Sequence, residues 1–331
     1  SKEIGFTTAG NDALGIHNYF LTLAYETENS IPLGSLVYAY SNRFIFSVAR
    51  SNNIFRDSNG DFNRARPTDS IQTVFAFPYT RLLSSHNFLL AAAWEKDSDH
   101  TLASTAIPVD DFEDNLLGLA WLYNSARSYP LSISVNDGLN LRLVIEDSDT
   151  FSSDFTGQVY TLDWKQYIRT GEESVFVFRF LQGWGTESPS PFRLGGEDSG
   201  ASLSLLGPSG TAVFGVRKYA LRGYDEGLPQ LIGRHAQLVS AEWRFPISRV
   251  ERGIMAPPLG LMQWSATVFV DSGAAYNQDS AEKYYTGAGV EINADLNLFY
   301  WIPLRAQLGY AHGFDNNIGD DRVYLSVGAS F

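Results

Sequence analysis

Residues 321–331 read Asp-Arg-Val-Tyr-Leu-Ser-Val-Gly-Ala-Ser-Phe. Val323, Leu325, Val327, Ala329 and Phe331 alternate with Arg322, Tyr324, Ser326, Gly328 and Ser330. Successive side chains of an extended strand point to opposite faces, so one face of this segment is apolar throughout. The same period of two recurs upstream. Tyr284, Thr286, Ala288, Val290, Ile292, Ala294 and Leu296 alternate with Lys283, Tyr285, Gly287, Gly289, Glu291, Asn293 and Asp295. Met262, Trp264, Ala266, Val268 and Val270 do so with Gln263, Ser265, Thr267, Phe269 and Asp271, and Tyr160, Leu162, Trp164 and Ile168 with Thr161, Asp163, Lys165 and Tyr167. Runs of ~10 residues are the length a tilted strand needs to cross a bilayer.

Extending this reading predicts strands at 13–27, 33–41, 43–53, 69–78, 86–96, 115–125, 138–148, 155–168, 174–184, 234–247, 261–272, 283–296, 302–312 and 321–331. The fold class is therefore all-β: an antiparallel transmembrane β-barrel of about fourteen strands, with twelve or sixteen as alternatives. Residues 1–331 form a single barrel domain on this reading. Tight links at Ser41-Asn42, 169–173 and 297–301 alternate with longer polar loops at 54–68, 97–114 and 185–233, as short periplasmic turns and long external loops require. Trp94, Trp184, Trp243, Trp264 and Trp301 sit near strand ends, where interfacial aromatic girdles lie. A soluble β-sandwich or propeller also alternates, but its strands average only ~5–6 residues.

Composition narrows the function. The net charge of −13 and a pI near 4.8 argue against nucleic acid, whose phosphates need clustered Lys and Arg. Cysteine is absent, which removes disulfides, thiolate metal sites and cysteine nucleophiles. Aromatic residues reach 14% and charged residues only 18%, yet the mean hydropathy is −0.14. No apolar stretch reaches the ~20 residues of a membrane helix, whereas a barrel with a wet interior hides its hydrophobicity in alternation. The chain opens without a charged and apolar leader and reads as a mature protein or an excised C-terminal domain.

Four motifs in the second half share an order and spacing. They are Phe192-Arg193-Leu194-Gly195-Gly196, Leu221-Arg222-Gly223-Tyr224, Phe269-Val270-Asp271-Ser272-Gly273 and Gly287-Ala288-Gly289. In these, residues 192–331 resemble the C-terminal half of the bacterial surface-antigen superfamily, the barrels of outer-membrane assembly factors and two-partner secretion transporters. The resemblance implies that Phe192, Gly195 and Gly196 lead into a long loop, residues 184–233, folded into the lumen. It also implies that Arg222, Gly223 and Tyr224 form the loop tip, anchored on the inner wall by Asp271 and Gly273, with Glu291 or Asp295 as neighbours of the arginine. Gly287 and Gly289 would leave room for the loop backbone. A guanidinium fork suits such an anchor because it grips a carboxylate through two parallel bonds. Phe331 resembles the C-terminal signal read by the outer-membrane assembly machinery. Two departures stand out: about two dozen residues separate Gly196 from Arg222, and the periplasmic repeat domains that commonly precede such barrels are not in this sequence; fourteen strands also fall short of the family's usual sixteen.

Other motifs carry less. Asp271-Ser272-Gly273-Ala274 mimics an aspartic-protease signature without a second copy to share a proton. Gly196-Glu197-Asp198-Ser199-Gly200 mimics a serine-protease turn without a partnered His and Asp. His17, His86, His100, His235 and His312 show no metal-ligand spacing. Asp57, Asn59 and Asp61, with Asn63 and Asp69 beyond, resemble the start of a calcium loop, but Asp, Asn and Gly also form ordinary turns.

The expectation is a non-enzymatic outer-membrane barrel without cofactor. Its partners would be outer-membrane lipid, the assembly machinery, a polypeptide or lipid substrate and periplasmic domains. The alternative is a passive pore or surface-binding barrel.

Overall fold

A strand with one apolar and one polar face is stable where the apolar face meets lipid or a core and every backbone group finds a neighbouring strand. The computed structural model has this arrangement. It describes residues 3–27, 30–41, 43–56, 62–98, 100–101, 111–129, 132–171, 173–196, 213–255, 258–278, 281 and 283–329. The first strands are β1 Glu3–Asn11, β2 His17–Glu26, β3 Ile31–Tyr40, β4 Phe44–Arg56, β5 Phe62–Thr80, β6 Ser85–Asp97 and β7 His100–Thr101. Next come β8 Phe112–Asn124, β9 Gly138–Asp147, β10 Gln158–Arg169 and β11 Val175–Gly185. The long link that follows holds β12 Phe192–Leu194, β13 Lys218–Tyr219, a single 3-10 turn at Pro229–Leu231 and β14 Ile232–Gly233. The order closes with β15 His235–Ile254, β16 Leu259–Tyr276, β17 Tyr285–Leu298, β18 Ile302–Gly313 and β19 Asp321–Ala329.

Fifteen strands form one antiparallel path in chain order, from β1 through β6, β8 to β11, and β15 to β19, while β7 pairs with β5. Among the described residues no pairing joins β1 to β19. The sheet curls into a barrel wall. Arg305 on β18 bonds the carbonyl of Ile133, in the link between β8 and β9, although those strands lie far apart in the order.

Register fixes the two faces. Val268, Val290, Tyr310 and Val323 lie opposite one another across β16 to β19, and so do Ala266, Ile292, Leu308 and Leu325. The large members of these rows are exposed, Val323 by 74% and Leu325 by 72%. The facing row is polar: Ser240, Glu242, Thr267, Asp271, Glu291, Asn293 and Asp295 point inward and are largely enclosed. An apolar outside of this extent is costly in water and favourable in lipid. The protein should therefore need detergent or lipid to stay monodisperse, and should run faster on unheated than on boiled SDS gels. A detergent-free monomer on size exclusion would contradict this.

The sequence-based boundaries need three corrections. The strand Glu3–Asn11 adds one to the expected fourteen. Its small residues Gly5, Thr7, Thr8 and Gly10 hide the alternation. The expected loop 54–68 is mostly hairpin, since β4 runs to Arg56 and β5 starts at Phe62. Beyond the lipid band a strand needs no apolar face, so composition marked that stretch as loop. The strand predicted to end at 247 continues to Ile254, with register shifts beside Pro246 and Arg249, the irregularity a strand proline demands.

Candidate functional site

Three neighbouring strands build a polar wall. In register, Ser240 on β15 faces Asp271 on β16, and Thr267 on β16 faces Glu291 on β17. Glu242 lies one inward position along from Ser240. The link between β11 and β15 folds against this wall. Phe192, Leu194, Tyr219, Leu221, Tyr224 and Leu231 from the link pack with Val159, Leu181, Ala236 and Leu238 of the wall in one core. Phe192 and Leu221 are fully enclosed. The Gly-Gly pair splices the link to itself: the Gly195 amide donates to the Tyr219 carbonyl at 3.1 Å and the Gly196 amide to the Tyr224 carbonyl at 2.9 Å.

This packing delivers Arg222, 4% exposed, to the carboxylates. Its Nε donates to Asp271 Oδ2 at 2.6 Å and its Nη2 to Asp271 Oδ1 at 2.8 Å. Nη1 donates to Glu291 Oε1 at 3.0 Å and Nη2 to Glu242 Oε1 at 2.8 Å. The guanidinium carbon lies 3.5 Å from the centre of the Phe269 ring, a cation–π contact. Burial would lower the guanidinium pKa, but the facing carboxylates outweigh it and hold the group well above its ordinary range. The carboxylates are themselves held: the Ser240 hydroxyl donates to Asp271, Tyr324 to Glu291 at 2.6 Å, and Arg244 to Glu242 at 2.6 and 2.9 Å.

Glycines set the distance of approach. Gly223 has φ +93°, the left-handed region, and a Cβ there would stand 2.7 Å from the Gly313 amide. A Cβ on Gly287 would overlap the Arg222 carbonyl. Next to this contact the Tyr224 hydroxyl donates to the Thr286 carbonyl at 2.8 Å.

No protein-family model matches the chain. No curated protein matches it in sequence. Solved structures do match the fold. The crystal structure of BamA from Haemophilus ducreyi lacking POTRA domains 1-3 aligns over 98% of this chain and 69% of its own, at 12% identity and a TM-score of 0.54. CdiB from Escherichia coli aligns over 98% of this chain and 58% of its own, at 10% identity and a TM-score of 0.59. The fold is that of the BamA and CdiB barrels. This chain spans less than two thirds of CdiB.

On this fold, Arg222, Asp271, Glu291, Gly223, Tyr224 and Gly287 come together, with Phe192, Gly195 and Gly196 in the adjoining link. Gly273 touches that link too, since a Cβ there would meet Leu194 at 3.1 Å. One expectation fails. A Cβ on Gly289 would overlap the Tyr310 carbonyl of the neighbouring strand and stand 2.6 Å from the Phe269 ring, so this glycine makes room for the wall and the ring and not for the loop backbone. Of the two carboxylates offered as neighbours of the arginine, Glu291 reaches Arg222 and Asp295 does not. The latter lies four residues along β17 from Glu291, ~13 Å at strand rise, and pairs with Arg305 directly opposite it, at 2.7 Å.

Asp57, Asn59, Asp61 and Phe331 lie outside the described residues. Asp69 forms a two-bond pair with Arg50 on the outer wall. Among the described residues no group of three or more His, Asp or Glu is placed to hold a metal.

Sequence reasoning missed Glu242, Tyr324 and a second pin, Arg217 Nη1 on Glu146 Oε2 at 2.5 Å. The alternation within 234–247 already set Ser240, Glu242 and Arg244 on one polar face, so Glu242 was within reach. Nothing in sequence links Arg217 to Glu146.

Proposed function

We propose that this chain is the β-barrel of an outer-membrane protein of the surface-antigen superfamily that passes or inserts polypeptide or lipid. On this reading residues 1–331 are one domain and 184–233 a lumen plug seated by Arg222, with Asp271, Glu291 and Glu242 as its seat. The observation that carries the reading is the placement of one loop arginine on carboxylates from three adjacent strands. A conduit must be shut at rest and opened as a unit, and a loop whose buried charge is gathered on one seat suits that. A passive or surface-binding barrel is the second reading. It is favoured by the Arg217–Glu146 pin, which ties the same link to β9 as well. The seam between β1 and β19 is a candidate lateral exit.

Replacing the native gene with Arg222→Ala or a null allele, followed by quantitative proteomics of the outer-membrane and secreted fractions, separates the two readings. Loss of a defined set of polypeptides from either fraction supports conduction or insertion. Unchanged fractions with altered bilayer conductance support the passive barrel.

The proposed terminal signal has its own expectation. Phe331→Asp should lower the amount of heat-modifiable protein in the outer membrane severalfold. Normal assembly of this variant would count against the signal.

A further inference from the structure

Strand direction places the links at 12–16, 41–43, 81–84, 170–174, 255–258 and 299–301 at one end of the barrel, all of them tight. The remaining link at that end, between β8 and β9, runs from 125 to 137. Short turns suffice to reverse antiparallel strands, so the extra chain has another use. Of its described residues, 127–129 stay exposed while 132–137 turn inward. Ile133 is 2% exposed and Asn136 1%. Arg127 and Asn136 continue the hairpin with backbone bonds of 2.8 and 2.9 Å. Ala126 and Val135 pack on Tyr167, Val175 and Val177, where β10 and β11 end on this side. From there the tip reaches across to β18, where Arg305 Nη2 donates to the Ile133 carbonyl at 2.7 Å. Asp295 holds that guanidinium through bonds of 2.7 and 3.0 Å, so the donor is already aimed.

We propose that this link is a second gate, closing the tight-turn end of the barrel while the Arg222 plug closes the other. A polar, partly open cavity of about 180 Å³ lies between the two. Ile133 and Ser134 line it from the link, Arg222 and Glu291 from the plug seat, and Arg305 and Gln307 from β18. The docking is built to release. The tip is latched by a backbone carbonyl, and the buried amide oxygens of Asn136 in the link and Asn140 on the wall accept no protein hydrogen bond. Such atoms favour water, so hydration of the interface competes with closure.

The inference rests on the barrel reading and not on any transported substrate. Single-channel conductance in planar bilayers tests it with four proteins: wild type, Arg222→Ala, a variant with residues 128–135 replaced by Asn-Gly, and the combination. Two gates in series predict less than a twofold rise for either single change and a severalfold rise for the two together. If Arg222→Ala alone reaches the conductance of the combination, the second gate is disproved.

Shortening the link could impair assembly, so a second measurement uses the intact link. Because the chain has no cysteine, Ser134→Cys with Gln307→Cys forms a unique pair. A reducible bifunctional thiol reagent should cross-link it across the cavity that the two residues line, seen as a gel shift, and hold conductance low in the Arg222→Ala background until a reductant is added. Failure to cross-link in folded, heat-modifiable protein, or a cross-link without effect on conductance, would overturn the proposal. Reduced barrels that recover conductance yet transport nothing would leave it standing and count only against the proposed function.

Discussion

Arg222→Ala is expected to destabilise the folded barrel by about 3–5 kcal/mol, the cost of stranding buried charge partners. Asp271 and Glu291 are nearly fully enclosed, and among the described residues Glu242 keeps Arg244 as its cationic partner when Arg222 is gone. Urea titration in detergent should show the loss, and plug residues 213–231 should become cleavable by protease. The double change with Asp271→Ala should cost less than the two single effects summed, because removing the second charge relieves the strain left by the first. Arg222→Lys should rescue little, since one ammonium cannot reproduce a fork that donates to three carboxylates. Unchanged stability in Arg222→Ala would defeat the anchor.

Gly287→Val should have the next largest effect, without altering any charge. Its Cβ would overlap the carbonyl of Arg222, a backbone atom that cannot rotate away. Either β17 bends or the plug tip lifts. Overpacking of this kind costs up to about 3 kcal/mol, and a lifted tip pulls the guanidinium off Asp271. The variant should therefore share the protease sensitivity of Arg222→Ala while keeping every ionic group. Gly171→Ala is the matched control, since a Cβ there would have Ser174 at 3.7 Å as its nearest neighbour. If Gly287→Val proves as stable and protease-resistant as the control, the close approach at Gly287 does not govern docking.

Much of the wall was readable because alternation is a local property. Asp271 and Glu291 sit among polar residues of period two, and that alone faces them inward. Strand β1 escaped because glycine and threonine blur the period. The plug tip was readable through resemblance and not through pattern, since Leu221-Arg222-Gly223-Tyr224 has no periodicity. Alternation could not choose between Glu291 and Asp295 for a geometric reason: facing the same side says nothing of depth along the strand. The Arg217–Glu146 pin and the inward turn of residues 132–137 left no mark, because each depends on partners that only the curled sheet brings close.

The separation of those partners along the chain has a kinetic consequence. Arg222 meets Asp271 across 49 residues and Glu291 across 69, Arg217 meets Glu146 across 71, and Arg305 meets Ile133 across 172. Each strand hairpin can form from neighbouring chain, but closing long loops carries an entropic cost before any contact repays it. The Arg222 bonds must wait for β16 and β17, and the Ile133 latch for β18, nearly the last strand of the chain. Protection of the Arg222 and Ile133 regions in pulsed hydrogen exchange should therefore appear after the hairpins and together with the joining of β18, which makes the two seals the last clock of assembly.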